Sequence, residues 1–130
     1  MKHIENRKDV EKLVNSFYDK VKMDDLIGFI FNDVAKVNWE KHLPVMYDFW
    51  ENIIFFTNKY QGNPMIVHTN LNKRVPLTKE HFQRWLQLFT GTVDELFEGN
   101  KAMIAKEKAL SIATIMEIKI MGSFNNISTK

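Results

Sequence analysis

The 130-residue chain contains no cysteine. That absence removes disulfides, zinc–thiolate sites, iron–sulfur clusters and cysteine nucleophiles together, so any metal must be held by histidine, carboxylate or methionine. The five glycines are isolated and supply no dinucleotide-binding fingerprint. The four histidines are equally dispersed. There is no His-Glu-x-x-His and no His-x-x-x-His pair to grip zinc from one helix. The residues three before His42, His68 and His81 are Trp39, Met65 and Thr78, so the Glu-x-x-His of di-iron bundles is missing as well. An excess of one charge is also lacking. The 18 basic and 16 acidic residues leave +2, and no window concentrates Lys or Arg into a stripe that could follow a phosphate backbone, which argues against a nucleic-acid partner. Met1 to Val10 mixes both signs without an apolar run, so it reads as neither signal peptide nor membrane span. The expectation is a cytoplasmic protein with no membrane insertion.

What is present in quantity is apolar and flat. Apolar residues make up 45% of the chain and charged ones 26%, the balance of a folded globular domain. Ten Phe, three Trp and three Tyr are many large rings for one small core, which suggests that something flat is packed among them. The length fits one domain, expected over residues 1–122, with residues 123–130 as a polar, flexible tail.

Periodicity makes that domain all-α. From Asn6, an N-cap, the positions Val10, Leu13, Val14, Phe17, Tyr18 and Val21 recur at helical steps. Leu26-Ile27-Gly28-Phe29-Ile30-Phe31 is apolar nearly all round and reads as a short buried helical piece that places Phe31 inside. A second long helix is predicted from about Asn38 to Tyr60, with Trp39, His42, Leu43, Met46, Trp50, Ile53 and Thr57 on one stripe and Phe49 beside it. Pro44 implies that this helix begins near Leu43 or bends there. The stretch from Gly62 to Lys79 reads as loop-dominated and rich in turn residues, with one possible helical turn around Ile66 to Leu71, and it still carries Met65, Ile66, Val67, His68 and Leu71, as a segment wrapping something would. Thr78 caps a third helix, with Leu77 and Phe82 as a hydrophobic staple; its stripe of Phe82, Trp85, Leu86, Phe89, Val93 and Leu96 continues to Gly99. Asn100 caps a fourth, predicted to stop at Gly122.

Chemistry is carried by polar groups on apolar faces. His42 sits on the apolar stripe of the second helix, a costly place for an imidazole unless it is hydrogen-bonded or serves a ligand. His68 is flanked by apolar residues in a loop, whereas His81 lies in the first turn of the third helix and reads as structural. Tyr18 and Trp85 bring a hydroxyl and an indole N–H to predicted buried stripes, where each needs a partner. Taken singly, each of these is an ordinary core or loop residue. Dispersed histidines suit haem better than a multi-ligand metal cluster, because the porphyrin supplies four nitrogens and the protein need add only one axial ligand.

At these residues the sequence resembles the truncated haemoglobins, specifically group III. The pieces that carry the resemblance are Phe17-Tyr18-Asp19-Lys20-Val21, Ile27 to Phe31, Trp39-Glu40-Lys41-His42 with Phe49-Trp50, His68 with Leu71, and Phe82 to Phe89. They follow in order from about Asn6 to Met121. The resemblance implies a truncated globin fold, a two-over-two helical sandwich around haem b (iron protoporphyrin IX), with an extended loop before the proximal histidine. His68 matches that proximal, iron-ligating position. Tyr18, His42 and Trp85 match polar distal positions that would face dioxygen or nitric oxide. Phe31, Met46, Phe49 and Trp50 match pocket or pocket-adjacent positions, and Leu71 and Met116 complete the expected cofactor contacts. Arg74, with Lys73 as a second candidate, is assigned to a haem propionate by charge and loop position. Pro44, two residues after His42, departs from the pattern.

The reading is a haem-binding globin suited to gas chemistry or scavenging rather than bulk oxygen transport. An external reductase is its expected partner, and a monomer or weak dimer its expected state. A peroxidase-like haem enzyme and a cofactor-free helical bundle that binds a partner or apolar ligand are the alternatives. No carboxylate adjoins His68 in sequence, so the strongly polarised proximal histidine favoured by peroxidases has no local signature.

Overall fold

A computed structural model describes residues 2–34, 36–57 and 77–128, and side-chain surroundings as far as residue 119. His68, Leu71, Lys73 and Arg74 lie outside the described residues. Four long helices dominate: α1 (Arg7–Lys22), α2 (Trp39–Phe55), α3 (Lys79–Leu96) and α4 (Asn100–Ser128), with a π-helical turn at Ile30–Val34. No strand occurs among the described residues. An isolated parallel bridge joins Lys2 to Phe97. The helices form two pairs, α1 with α2 and α3 with α4, and the pairs cross so that α1 packs on α3 and α2 on α4. This is the two-over-two sandwich expected.

Each helix starts where local chemistry satisfies its free N–H groups. The Asn6 side chain accepts from the Asp9 amide at 3.1 Å. Asn38 does the same for Lys41 and thereby starts α2 at Trp39, ahead of Pro44. The helix runs through this proline instead of beginning at Leu43. An interior proline costs about 3 kcal/mol because it removes one ladder bond and crowds the carbonyl four residues back. Here that carbonyl belongs to Glu40, which is exposed like Pro44 itself, so water can serve it. The helix ends at Phe55, earlier than the predicted Tyr60, where Phe56 takes the left-handed conformation at φ 59°.

The start of α3 follows the sequence pattern closely. Thr78 Oγ1 accepts from the His81 amide at 3.3 Å and the Thr78 amide donates to His81 Nδ1 at 3.1 Å, so His81 completes a capping box. Leu77 and Phe82, the staple residues, are both buried. The helix stops at Leu96, short of Gly99, because Phe97 turns extended and buries its ring beside the N-terminal segment. There Glu98 donates its amide to the Lys2 carbonyl at 3.0 Å, and Ile4 is buried too. The cap of α4 falls on Gly99 and not on Asn100. Gly99 has φ +97°, its carbonyl accepts from the Met103 amide at 3.1 Å, and the His3 ring lies so close that a Cβ would meet it at 3.2 Å. The helix also continues through Gly122 to Ser128, since a helical glycine costs only about 1 kcal/mol relative to alanine and does not by itself end a helix.

The core is an aromatic stack between the two layers. Trp50 of α2 stacks on Phe89 of α3 at 4.4 Å between centroids, and Phe17 of α1 meets Phe89 edge-on at 5.2 Å. Ala102, Ala105, Ala109 and Ala113 form the buried face of α4, whose short side chains leave room for these rings. Ion pairs tie the helices at their margins. Arg7 reaches Asp48 at 2.8 Å and the buried Glu51 at 3.0 Å, joining α1 to α2. Arg84 of α3 holds Asp24 at 2.7 Å, just beyond the end of α1. Ile27 and Ile30 are buried, but Phe31 is only half-buried and Phe29 is exposed, so the piece before α2 is less enclosed than its composition suggests.

Candidate functional site

Tyr18 lies on the buried face of α1, four residues after Val14 and next to Phe17, and is almost wholly enclosed. Its hydroxyl is 3.4 Å from Nε2 of His42, which rises from the second turn of α2. That separation is long for a hydrogen bond to a hydroxyl, which is usually nearer 2.7–3.0 Å. The contact is therefore loose. Burial pushes the Tyr18 phenol well above its ordinary value. It stays a neutral O–H donor at any physiological pH, while the direction of the bond to His42 depends on the imidazole tautomer.

Rings surround the pair. Tyr18 meets the imidazole of His42 edge-on at 5.3 Å between centroids, Phe31 at 6.1 Å and Trp39 at 5.3 Å. Trp39 in turn stacks on Phe31 at 6.2 Å and meets His42 at 5.7 Å. On the other side Phe17 lies 4.8 Å from Tyr18 and 5.7 Å from Trp85. Trp85 thus stands one ring away from the Tyr18–His42 pair, half-buried and stacked on Phe89 at 5.9 Å.

The structure therefore brings Tyr18, His42 and Phe31 into one cluster and sets Trp85 at its border. Met46 and Phe49 are half-buried on the same helix as His42, one and two turns on, and pack against the core. Trp50 is fully enclosed in the aromatic stack, a support for the site and not part of its surface. Met116 is buried on α4. Two residues escaped the sequence reading as site residues: Trp39, and Lys22, whose ammonium sits 4.5 Å from the centre of the Trp39 ring. A tryptophan one turn before a histidine on the same apolar stripe was the available signal.

The chain matches the model of a family described as bacterial-like globin over residues 2–121. It belongs to that family. The globin is 28% identical over 112 residues to the group 3 truncated hemoglobin ctb of Campylobacter jejuni, an alignment covering 84% of this chain and 86% of that protein. Its fold superposes on the crystal structure of the group III truncated hemoglobin from Campylobacter jejuni with a TM-score of 0.80 at 26% identity, over 92% of this chain and 95% of that one. The chain thus has the truncated globin fold seen in that group III protein, all-α, and as a globin it is haem-binding, with a diatomic gas as the ligand class of its family. Among the described residues no helix is long and apolar enough to cross a membrane.

The donor set fits such a cofactor. A flat apolar macrocycle suits half-buried apolar side chains such as Phe31, Met46, Phe49 and Trp85, and a polar gas suits a buried neutral phenol next to an imidazole.

Proposed function

We propose that this globin holds haem b through His68 and binds dioxygen, and nitric oxide, beside Tyr18 and His42, for gas chemistry or scavenging and not for bulk transport. The single observation that carries the reading is the pair of buried Tyr18 and half-buried His42, 3.4 Å apart and walled by rings.

When bound, haem b supplies a ferrous iron with an open position that coordinates a diatomic gas and passes electron density to it. The chain's own groups do the rest. His68 would hold the haem iron through a neutral ring nitrogen. Tyr18 keeps its proton and directs it toward the ligand, with His42 as a second donor and Trp85 as a third at the border. Hydrogen bonds to a ligand that carries partial negative charge contribute about 1.5–3 kcal/mol each, so dioxygen release slows by roughly tenfold or more per donor. Phe31, Met46, Phe49, Leu71 and Met116 supply apolar contact, and Arg74 pairs with a propionate. The globin acts in the cytoplasm, as a monomer or weak dimer, with an external reductase returning the iron to its ferrous form. The globin domain ends near residue 122, although α4 itself runs on to Ser128.

The test is dioxygen dissociation from the reduced, haem-loaded protein by stopped flow. Tyr18→Phe removes one hydroxyl and keeps the ring. Release at least several-fold faster is expected, and an unchanged rate removes Tyr18 from the ligand's environment. Protein that takes up no haem when expressed with adequate supply would sink the whole reading.

A further inference from the structure

Trp39 opens α2 and Lys22 closes α1, and the two meet at the edge of the Tyr18–His42 cluster. Trp39 touches both members of the pair, Tyr18 at 5.3 Å and His42 at 5.7 Å between ring centroids, with planes 57° and 80° apart. It also meets Phe31, stacked at an interplanar angle of 23°, and the Lys22 ammonium over its face. Tyr18 is buried, whereas Trp39 and Lys22 are half-buried. They form the layer between the polar pair and solvent.

Lys22 is itself held. Asn32 Nδ2 donates to the Lys22 carbonyl at 3.0 Å, and Gly28 approaches the same carbonyl so closely that a Cβ there would lie 3.0 Å from its oxygen. The end of α1 is thereby fixed against the π-helical turn, and its terminal lysine is aimed across the gap to α2. A partly desolvated ammonium within about 6 Å of an indole centre is attracted by the ring's negative face. No carboxylate is needed to keep it there.

We propose that Trp39, clamped under Lys22, is a positioning residue that fixes the relative orientation of Tyr18 and His42 and so sets how firmly the site retains its gas. The inference rests on the proposed distal role of that pair. The clamp is a lever on ligand retention without contact with the ligand. Breaking it frees the indole to rotate, the imidazole loses one of its two edge-on neighbours, and the two donors no longer converge on one point.

The test compares Lys22→Met, Lys22→Arg and Trp39→Leu with Tyr18→Phe on the haem-loaded protein. Two readouts are taken: the dioxygen dissociation rate, and the C–O stretching frequency of bound carbon monoxide, which reports the donors aimed at the ligand. Lys22→Met is expected to speed release about threefold to tenfold and to shift or split the C–O band, in line with loss of one cation–ring contact. Lys22→Arg restores both, and Trp39→Leu exceeds Lys22→Met. If Tyr18→Phe speeds release while Lys22→Met and Trp39→Leu match the parent, or change only the melting temperature, the clamp is overturned and the distal reading stands. Equal effects of Lys22→Met and Lys22→Arg overturn it too, since charge is then not the cause. If Tyr18→Phe itself leaves rate and band unchanged, the distal reading fails and takes the clamp with it. Should Trp39→Leu fail to fold, the half-buried Lys22 variants decide the matter alone.

Discussion

Tyr18 on α1 and His42 on α2 approach to 3.4 Å across the interface of two helices that the chain separates by a turn and a connecting segment. Neither helix alone could present both donors. If they act on the ligand as a pair, their contributions to dioxygen retention are coupled. Tyr18→Phe and His42→Leu should each speed release, and the double variant should fall short of the sum by about 0.5 kcal/mol or more, the usual size of coupling between touching groups. A double-mutant cycle of dissociation rates measures this directly. Strict additivity would mean that the two donors reach the ligand independently.

The proximal assignment can be tested without reference to gas chemistry. His68→Gly deletes the imidazole proposed to ligate iron, and free imidazole added to the solution is small enough to replace it. The variant should lose the absorption spectrum of histidine-ligated haem, and millimolar imidazole, about the concentration at which weak ligands occupy an engineered cavity, should bring it back. An unaltered spectrum without imidazole would transfer ligation to another residue.

Much of this was legible in sequence because it is local. Asn6, Thr78 and the Leu77–Phe82 staple announce helix starts through side chains that act within one turn. Tyr18 and His42 stood out because a polar group on an apolar stripe must be satisfied by something. Trp39 did not, since an indole on such a stripe looks like any core aromatic. Lys22 did not either, because a lysine in a last helical turn is already accounted for by the helix dipole. The early end of α3 escaped for another reason. It depends on Phe97 pairing with Lys2 from the opposite end of the chain, a contact with no local trace. Pro44 misled because proline's cost was weighed without knowing that Glu40 is exposed.

Asp24 gives the fold a dependence on acid. Burial alone would raise its carboxyl, but hydrogen bonds from Arg84 and from the Ile27 and Leu26 amides outweigh it, and the net value lies below the ordinary range. A depressed folded value contributes stability that is complete above the unfolded carboxylate value of about 3.9 and is lost as pH falls through the folded one. Arg84→Met removes the counter-charge and lets burial dominate. Its melting temperature should drop by a few degrees near neutrality, its acid transition should move to higher pH, and its deficit should vanish once pH has fallen through the depressed folded value, where Asp24 is protonated in both proteins. A deficit constant across pH would assign the loss to Arg84 packing instead.

Two glycines predict opposite outcomes for the same substitution. Gly91 lies inside α3 on an exposed face, and a Cβ built there meets nothing within 4 Å. Alanine loses less backbone freedom on folding, so Gly91→Ala should stabilise by about 0.5–1 kcal/mol. Gly28 is buried where the chain folds back on α1, and its Cβ would lie 3.0 Å from the carbonyl oxygens of both Lys22 and Val21. Those neighbours are backbone and cannot rotate away. Gly28→Ala must push the turn off the end of α1, and a shift of this kind costs about 1–3 kcal/mol. Thermal melts of the two variants separate the cases by sign. The Gly28 variant should also disturb the C–O band of bound carbon monoxide, because the displaced carbonyl of Lys22 is the one Asn32 holds. Gly91→Ala, remote from that corner, should leave the band where it is.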